Sequence, residues 1–156
     1  MKSHHTVVVL ADACHARIFT LENRKRQGGI AGPALIERAD LVNPGRRQRA
    51  AEQLSDTRPG SHRAPAGPGH TVDDHRDAKF DEVDRKFASD IVSATTGIVS
   101  EDASRRLLYV AGPSMIGNLR KQVDANIGPV PEFVDRDVAK LTTAEALQYL
   151  QKQELV

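Results

Sequence analysis

Thr6 to Ala11 reads TVVVLA, a short β-branched run without a single charged residue to turn toward water. Such a run suits a strand buried on both faces, and so a central one. Its neighbours follow directly. After a tight turn at Asp12-Ala13, the segment Ala16 to Leu21 alternates. Ile18 and Thr20 fall on one side, Arg17, Phe19 and Leu21 on the other. Two strands with a turn between them read as a β-hairpin. Glu22 to Gly32 carries Arg24, Lys25, Arg26, Gly28 and Gly29 and reads as an exposed loop. It leads to a third strand, Ala34 to Val42. There Leu35, Ile36, Leu41 and Val42 are interleaved with charges, which suits a strand near a sheet edge.

The texture changes at Asn43. From Pro44 to Val72 there are four Pro, four Gly, five Arg and two acids, and only Leu54 and Val72 are large and apolar. A segment of this kind buries too little surface to offset its ordering entropy. Loops this long in a compact domain are usually functional or disordered. Arg46, Arg47, Arg49, Arg58 and Arg63 against Glu52 and Asp56 give it a local charge of +3, although the whole chain carries only +1.

Past the segment, Phe80, Val83, Phe87, Ile91 and Ala94 recur at spacings of three and four. This predicts an amphipathic helix over about Asp77 to Thr95. Asp73, Asp74 and Asp77 stand at its positive end, and Gly97 is a stop signal. Leu107 to Ala111 reads as a fourth strand and Ser114 to Asn126 as a second helix. Val130 to Val134 reads as a fifth strand, held near an edge by Pro131. Thr142 and Glu145 form a capping box that opens a last helix with Ala146, Leu147 and Leu150 as its apolar stripe. The order β-β-β-loop-α-β-α-β-α predicts an α/β domain with a mixed five-stranded sheet and three helices. Strands four and five, each reached across a helix, are expected parallel to a neighbour. The expected arrangement is in the manner of a ribonuclease H-like fold.

Composition narrows the function. With 156 residues the chain has the length of one domain, and its near-neutral balance gives no one-signed field. Aromatics are 4% with no Trp, so base-stacking platforms are not expected. The single Cys14 excludes an internal disulfide and a multi-cysteine zinc site. No apolar run approaches the roughly 20 residues of a membrane span, and no signal-peptide pattern opens the chain. A cytoplasmic location is expected, with no cofactor and no membrane insertion.

Four constellations bear on chemistry. Asp12 follows the first strand, where a carboxylate could join others to hold two metal ions. Glu82 or Asp84 would supply one more, but the fourth strand ends Tyr109-Val110-Ala111-Gly112 with no acid. The simpler reading is that Asp12 shapes the turn or caps a backbone amide. His70, Asp73, Asp74, His75 and Asp77 have metal-ligand spacing, yet acids are favoured at a helix start for the dipole alone. Cys14 and His15 are adjacent, and neighbours in a strand point to opposite faces. Gly112-Pro113-Ser114 opens a helix whose free amides could accept an anion. Against these stands the basic segment, whose arginines suit bidentate phosphate contacts.

The segments VVVLADACHARIFTLE, LVNPGRRQRAAEQLSDTRPG, HRDAKFDEVDRKFASDI, LLYVAGPSMIGNLRKQV and VDRDVAKLTTAEALQYL resemble the bacterial host-attachment family over about Thr6 to Leu150. The most distinctive pieces are LADACHARIF, Asp40-Leu41-Val42-Asn43-Pro44, the stretch Ser55 to Gly60, and Asp135 to Thr142. That family is similar in turn to the middle domain of archaeal and eukaryotic class-1 release factors and of Pelota. In those proteins a Gly-Gly-Gln tip occupies the place of Pro44 to Val72. This chain has no Gly-Gly-Gln there, and Gly28-Gly29-Ile30 lies in an earlier loop, so the resemblance does not carry peptide release over.

Three functions follow as expectations. The first is a non-enzymatic RNA- or ribosome-associated module, with Arg46, Arg47, Arg49, Arg58 and Arg63 on phosphate and Asp56, Arg58 and Gly60 shaping the segment. The second is a metal-dependent nuclease or hydrolase centred on Asp12, with His70, Asp73 or His75. The third is a protein-protein adaptor that affects attachment, with the segment as docking peptide.

Overall fold

The computed structural model describes residues 6–47, 71–104, 106–124, 126 and 128–156, with the backbone alone over 71–77. Five strands, β1 (Thr6–Ala11), β2 (His15–Lys25), β3 (Ala31–Val42), β4 (Arg106–Ala111) and β5 (Pro131–Asp135), form one sheet in the order β3-β2-β1-β4-β5. Three helices accompany it: α1 (Thr71–Glu101), α2 (Pro113–Gln122) and α3 (Thr143–Lys152). β1 pairs antiparallel with β2 and parallel with β4, and β4 pairs parallel with β5. The predicted mixed sheet is therefore present, with both charged or Pro-bearing strands at its edges.

All six residues of β1 are buried, as their composition requires. Alternation assigns them to two cores. Val7, Val9 and Ala11 join Ile18, Phe87, Ile91, Tyr109 and Leu119 under α1 and α2. Val8 and Leu10 join Phe19, Leu108, Val110, Ala146 and Leu150 under α3. The predicted split of β2, Ile18 against Phe19 and Leu21, is the split between these clusters. Thr142 opens α3 with the expected capping box. Its side chain accepts from the Glu145 amide while the Glu145 carboxylate accepts from the Thr142 amide at 2.8 Å.

Several boundaries differ from the sequence reading. β2 and β3 run four residues past Leu21 and begin three before Ala34, so most of the expected loop at 22–32 is strand. Residues 44–47 form a helical turn, and α1 starts at Thr71. Gly97 does not stop α1, because a glycine one turn from the end still accepts helical dihedrals. The helix ends instead at Glu101 and is closed off by Ala103, whose φ is 48°, with Ser104 N–H donating back to the Val99 carbonyl at 3.1 Å. This is the left-handed cap usually taken by glycine. α2 stops at Gln122, earlier than the apolar spacing through Val123 suggested; Val123 is its extended cap.

Tyr109 lies in the α1-side core, its ring stacked on Phe133 with centroids 5.4 Å apart. Burial pushes its phenol up to about 12, against a smaller opposing effect from its hydrogen bond with Thr95. A group raised on folding contributes stability that is complete below its unfolded value near 10 and is lost toward 12. The chain has two tyrosines. In a Tyr149→Phe variant, ultraviolet titration is expected to show the remaining phenol ionising about two units late, together with alkaline unfolding. A simple step near 10 in the folded protein would contradict this packing.

Candidate functional site

The carboxyl ends of β1 and β4, the β1–β2 turn and the beginning of the 44–72 segment meet at one end of the sheet. The turn is built by Asp12. Its Oδ1 accepts from the Cys14 amide at 2.8 Å and the His15 amide at 2.7 Å. The backbone closes it, Asp12 N–H donating to the His15 carbonyl at 2.8 Å. The simpler reading of Asp12 is thus the observed one. Cys14 is exposed, and the His15 ring pairs with Asp40 on β3. Among the described residues, no hydrogen bond joins the Cys14 thiol to the His15 ring.

Asn43 ties this turn to the rest. It is buried; its backbone N–H donates to the Cys14 carbonyl and its Nδ2 to the Ala13 carbonyl, both at 2.8 Å. The same Nδ2 reaches Asp84 Oδ1 on α1 at 3.5 Å. Asp84 is buried and meets Arg46 through two hydrogen bonds, Nε to Oδ1 at 2.9 Å and Nη2 to Oδ2 at 2.6 Å. The Arg46 guanidinium also lies 4.2 Å from the centroid of the Phe80 ring. The paired carboxylate holds the Arg46 guanidinium above its ordinary pKa. Burying the Asp84 carboxylate is tolerable because a planar, permanently charged fork satisfies both its oxygens. Between Asn43 and Arg46, Gly45 packs so closely on Val83 that an added Cβ would stand 2.5 Å from Val83 Cγ1.

Two grooves flank Asp12. One, of about 150 Å³, is lined by Asp12, Asp84 and Asp137 together with Gly112, Pro113 and Ser114 at the start of α2. Gly112 offers no side-chain cap to that helix. Three carboxylates nearby, of which among the described residues Asp84 alone pairs with an arginine, oppose the anion that the sequence suggested there. The second groove, of about 590 Å³, lies on the α3 side of β2 and β3, between His15, Arg17, Glu37 and Asp40 and the loop at Lys140. Arg17 forms its floor. It donates to Glu37, to the Leu141 carbonyl and to Thr143 Oγ1, and so fixes the start of α3 on β2.

Of the residues singled out from the sequence, Asp12, Asp84 and Arg46 come together. Arg46 is held on the body by Asp84, with its side chain still 28% exposed. Arg47 is exposed. Arg49, Asp56, Arg58, Gly60, Arg63 and His70 lie outside the described residues, as do the side chains of Asp73 and His75. Among the described residues, no group of three or more His, Cys, Asp and Glu side chains is arranged to hold a metal ion. Asn43 and Asp137 escaped the sequence reading as site residues. Both stand inside its most distinctive stretches, Asp40 to Pro44 and Asp135 to Thr142, and that was the available signal.

The junction is made of the segments that carry the sequence resemblance, and the matching family spans nearly the whole fold. Residues 7–150 match the family described as "Protein required for attachment to host cells". The chain belongs to this family. The host-attachment match runs from β1 through most of α3, so it includes both cores and the Asn43–Arg46–Asp84 junction. No curated protein matches the chain. Among the described residues no helix is long and apolar enough to cross a membrane.

Proposed function

We propose that this host-attachment family protein is a non-enzymatic binding module that contacts RNA, free or on the ribosome, through its 44–72 segment. The observation that supports the reading is the junction. Arg46 and Asn43 bind the first residues of the segment to α1 and to the β1–β2 turn, and Arg47 follows directly into solvent. One arginine is used as an anchor, which leaves Arg47, Arg49, Arg58 and Arg63 as the phosphate-contacting set. Asp56 and Gly60 would shape the segment between them.

On this reading the body would share the arrangement of the class-1 release-factor middle domain but not its chemistry. The Gly-Gly-Gln that peptide release requires is missing, and Asp12 and Asp84 are already committed to amides and to a guanidinium. Attachment to host cells would be a consequence of this activity rather than direct adhesion, and the site of action would be the cytoplasm.

Each phosphate contact adds to the salt dependence of binding, with a slope near 0.7–0.9 per contact. Changing Arg47, Arg49, Arg58 and Arg63 together to Ala is expected to weaken ribosome or RNA binding about tenfold or more at low salt and to flatten the salt slope by about 3. Pelleting with ribosomes and RNA gel shifts measure this. Absence of binding by the unaltered protein at low salt would end the proposal. Capture of protein partners from native lysate that persists after nuclease treatment would favour the adaptor reading instead.

A further inference from the structure

The far end of the β2–β3 ribbon carries a cluster of positive charge, Arg24, Lys25 and Arg26. β1 covers β2 as far as the pair Thr6–Leu21. Beyond it, among the described residues, β2 and β3 continue as a two-stranded ribbon through the pairs Glu22–Ala34, Asn23–Pro33, Arg24–Gly32 and Lys25–Ala31. At the usual strand rise this projects about 13 Å past the sheet. The turn is closed by Arg26 N–H to the Ile30 carbonyl at 3.0 Å and Gly29 N–H to the Arg26 carbonyl at 3.1 Å. Gly28 and Gly29 supply φ values of 107° and 83° that the tight reversal needs. Every residue from Asn23 to Ala31 is exposed.

We infer that this ribbon tip is a second RNA-phosphate contact, made by Arg24, Lys25 and Arg26. The inference rests on the reading of the chain as an RNA-binding module and adds a site to it. The tip's one acid, Glu22, stands 3.7 Å from Arg24; among the described residues Lys25 and Arg26 have no ion-pair partner. The cations occupy both faces of the ribbon. A Cβ on Gly32, the cross-strand partner of Arg24, would lie 3.7 Å from Arg26 Nε, so Arg24 and Arg26 share one face. Lys25 takes the other by strand alternation.

Protection of an edge strand from aggregation explains scattered charges, and β3 already has Glu37, Arg38 and Asp40 for that purpose. It does not explain three consecutive cations on a projecting turn. A ribbon with positive charge on both faces fits between phosphates that flank it on two sides, as in nucleic-acid recognition by two-stranded ribbons. A bilayer offers its charge from one side only. The exposed Ile30 is the tip's lone large apolar side chain, too little to anchor it in lipid.

The test uses the full chain, a short fluorescent RNA in single-stranded and duplex form, and vesicles of phosphatidylcholine with phosphatidylserine. The variant Arg24→Ala/Lys25→Ala/Arg26→Ala is expected to bind RNA about tenfold more weakly at low salt, with a salt slope lower by about 2–3. Arg24→Lys/Arg26→Lys should retain most of the binding. The single variant Lys25→Glu is a second probe that leaves the ribbon backbone in place, and circular dichroism should show all of them folded. Unchanged affinity in the triple variant and in Lys25→Glu overturns the inference, and the arginine variants of the 44–72 segment then decide the proposed function alone. Loss of binding in the tip variants with none in the 44–72 variants supports the tip and removes the longer segment from the proposal. Tip-dependent binding to the vesicles without binding to RNA overturns the inference.

Discussion

Asp84→Ala is expected to destabilise the protein by about 2–3 kcal/mol, at or just below the roughly 3–5 kcal/mol cost of breaking a fully buried ion pair. The carboxylate side chain is only 9% exposed, whereas Arg46 is 28% exposed and can reach water once its partner is gone. The loss is therefore smaller than for a fully enclosed pair. Asn43 also loses an acceptor, at 3.5 Å a weak one. In a domain of this size the change lowers the melting temperature by about 5–10 °C. Asp84→Asn keeps one acceptor and should recover part of the loss. A cycle with Arg46→Ala isolates the pair, because once Arg46 is absent the removal of Asp84 should cost less. Strict additivity of the two substitutions in urea unfolding would show that the contact contributes nothing.

Gly45→Ala provides a test in which local preference and packing have opposite signs. Residues 44–47 are helical, and in an open helix alanine would be favoured over glycine by about 1 kcal/mol. Here the new methyl would meet Val83 Cγ1 at 2.5 Å and Cγ2 at 3.0 Å. Val83 sits on α1, where a β-branched side chain has one strongly preferred rotamer, so it cannot swing aside. We expect a net loss of about 2 kcal/mol, within the range for overpacking. Combining Gly45→Ala with Val83→Ala makes room for the methyl and should restore most of it. A stabilised Gly45→Ala protein would mean that the helical turn does not press on α1.

These two predictions concern contacts that could not be read from the chain. Strands and their faces were legible because alternation in β1 and β2 depends only on nearest neighbours and on burial. The same holds for the capping box of Thr142 and Glu145. Ends were less legible. The extension of β2 to Lys25 has no apolar pattern, since a ribbon exposed on both sides has no core face to mark it. Gly97 looked like a stop, yet α1 continues because its buried face goes on through Val99. At the junction, Asp12 was legible as a turn residue because its partners are two and three residues away. The link from Asn43 and Arg46 to Asp84 spans about forty residues, and no local spacing encodes it. A segment rich in arginine reads as solvent-facing, and whether one of its guanidinium groups turns inward depends on a helix turn that only the folded state brings near.

The position of β1 has a consequence for the order of events as the chain emerges during synthesis. Its antiparallel partner β2 follows at once, but its parallel partner begins only at Arg106, so Thr6 must wait for a residue two-thirds of the way along the polypeptide. Until Ala111 has been made, the most apolar strand of the protein keeps one flank of amides and carbonyls unpaired. Contacts of such long sequence separation form slowly. A nascent chain halted between the early meander and β4 would therefore present a sticky open edge, a natural ligand for holding chaperones and the weakest moment in the life of this fold.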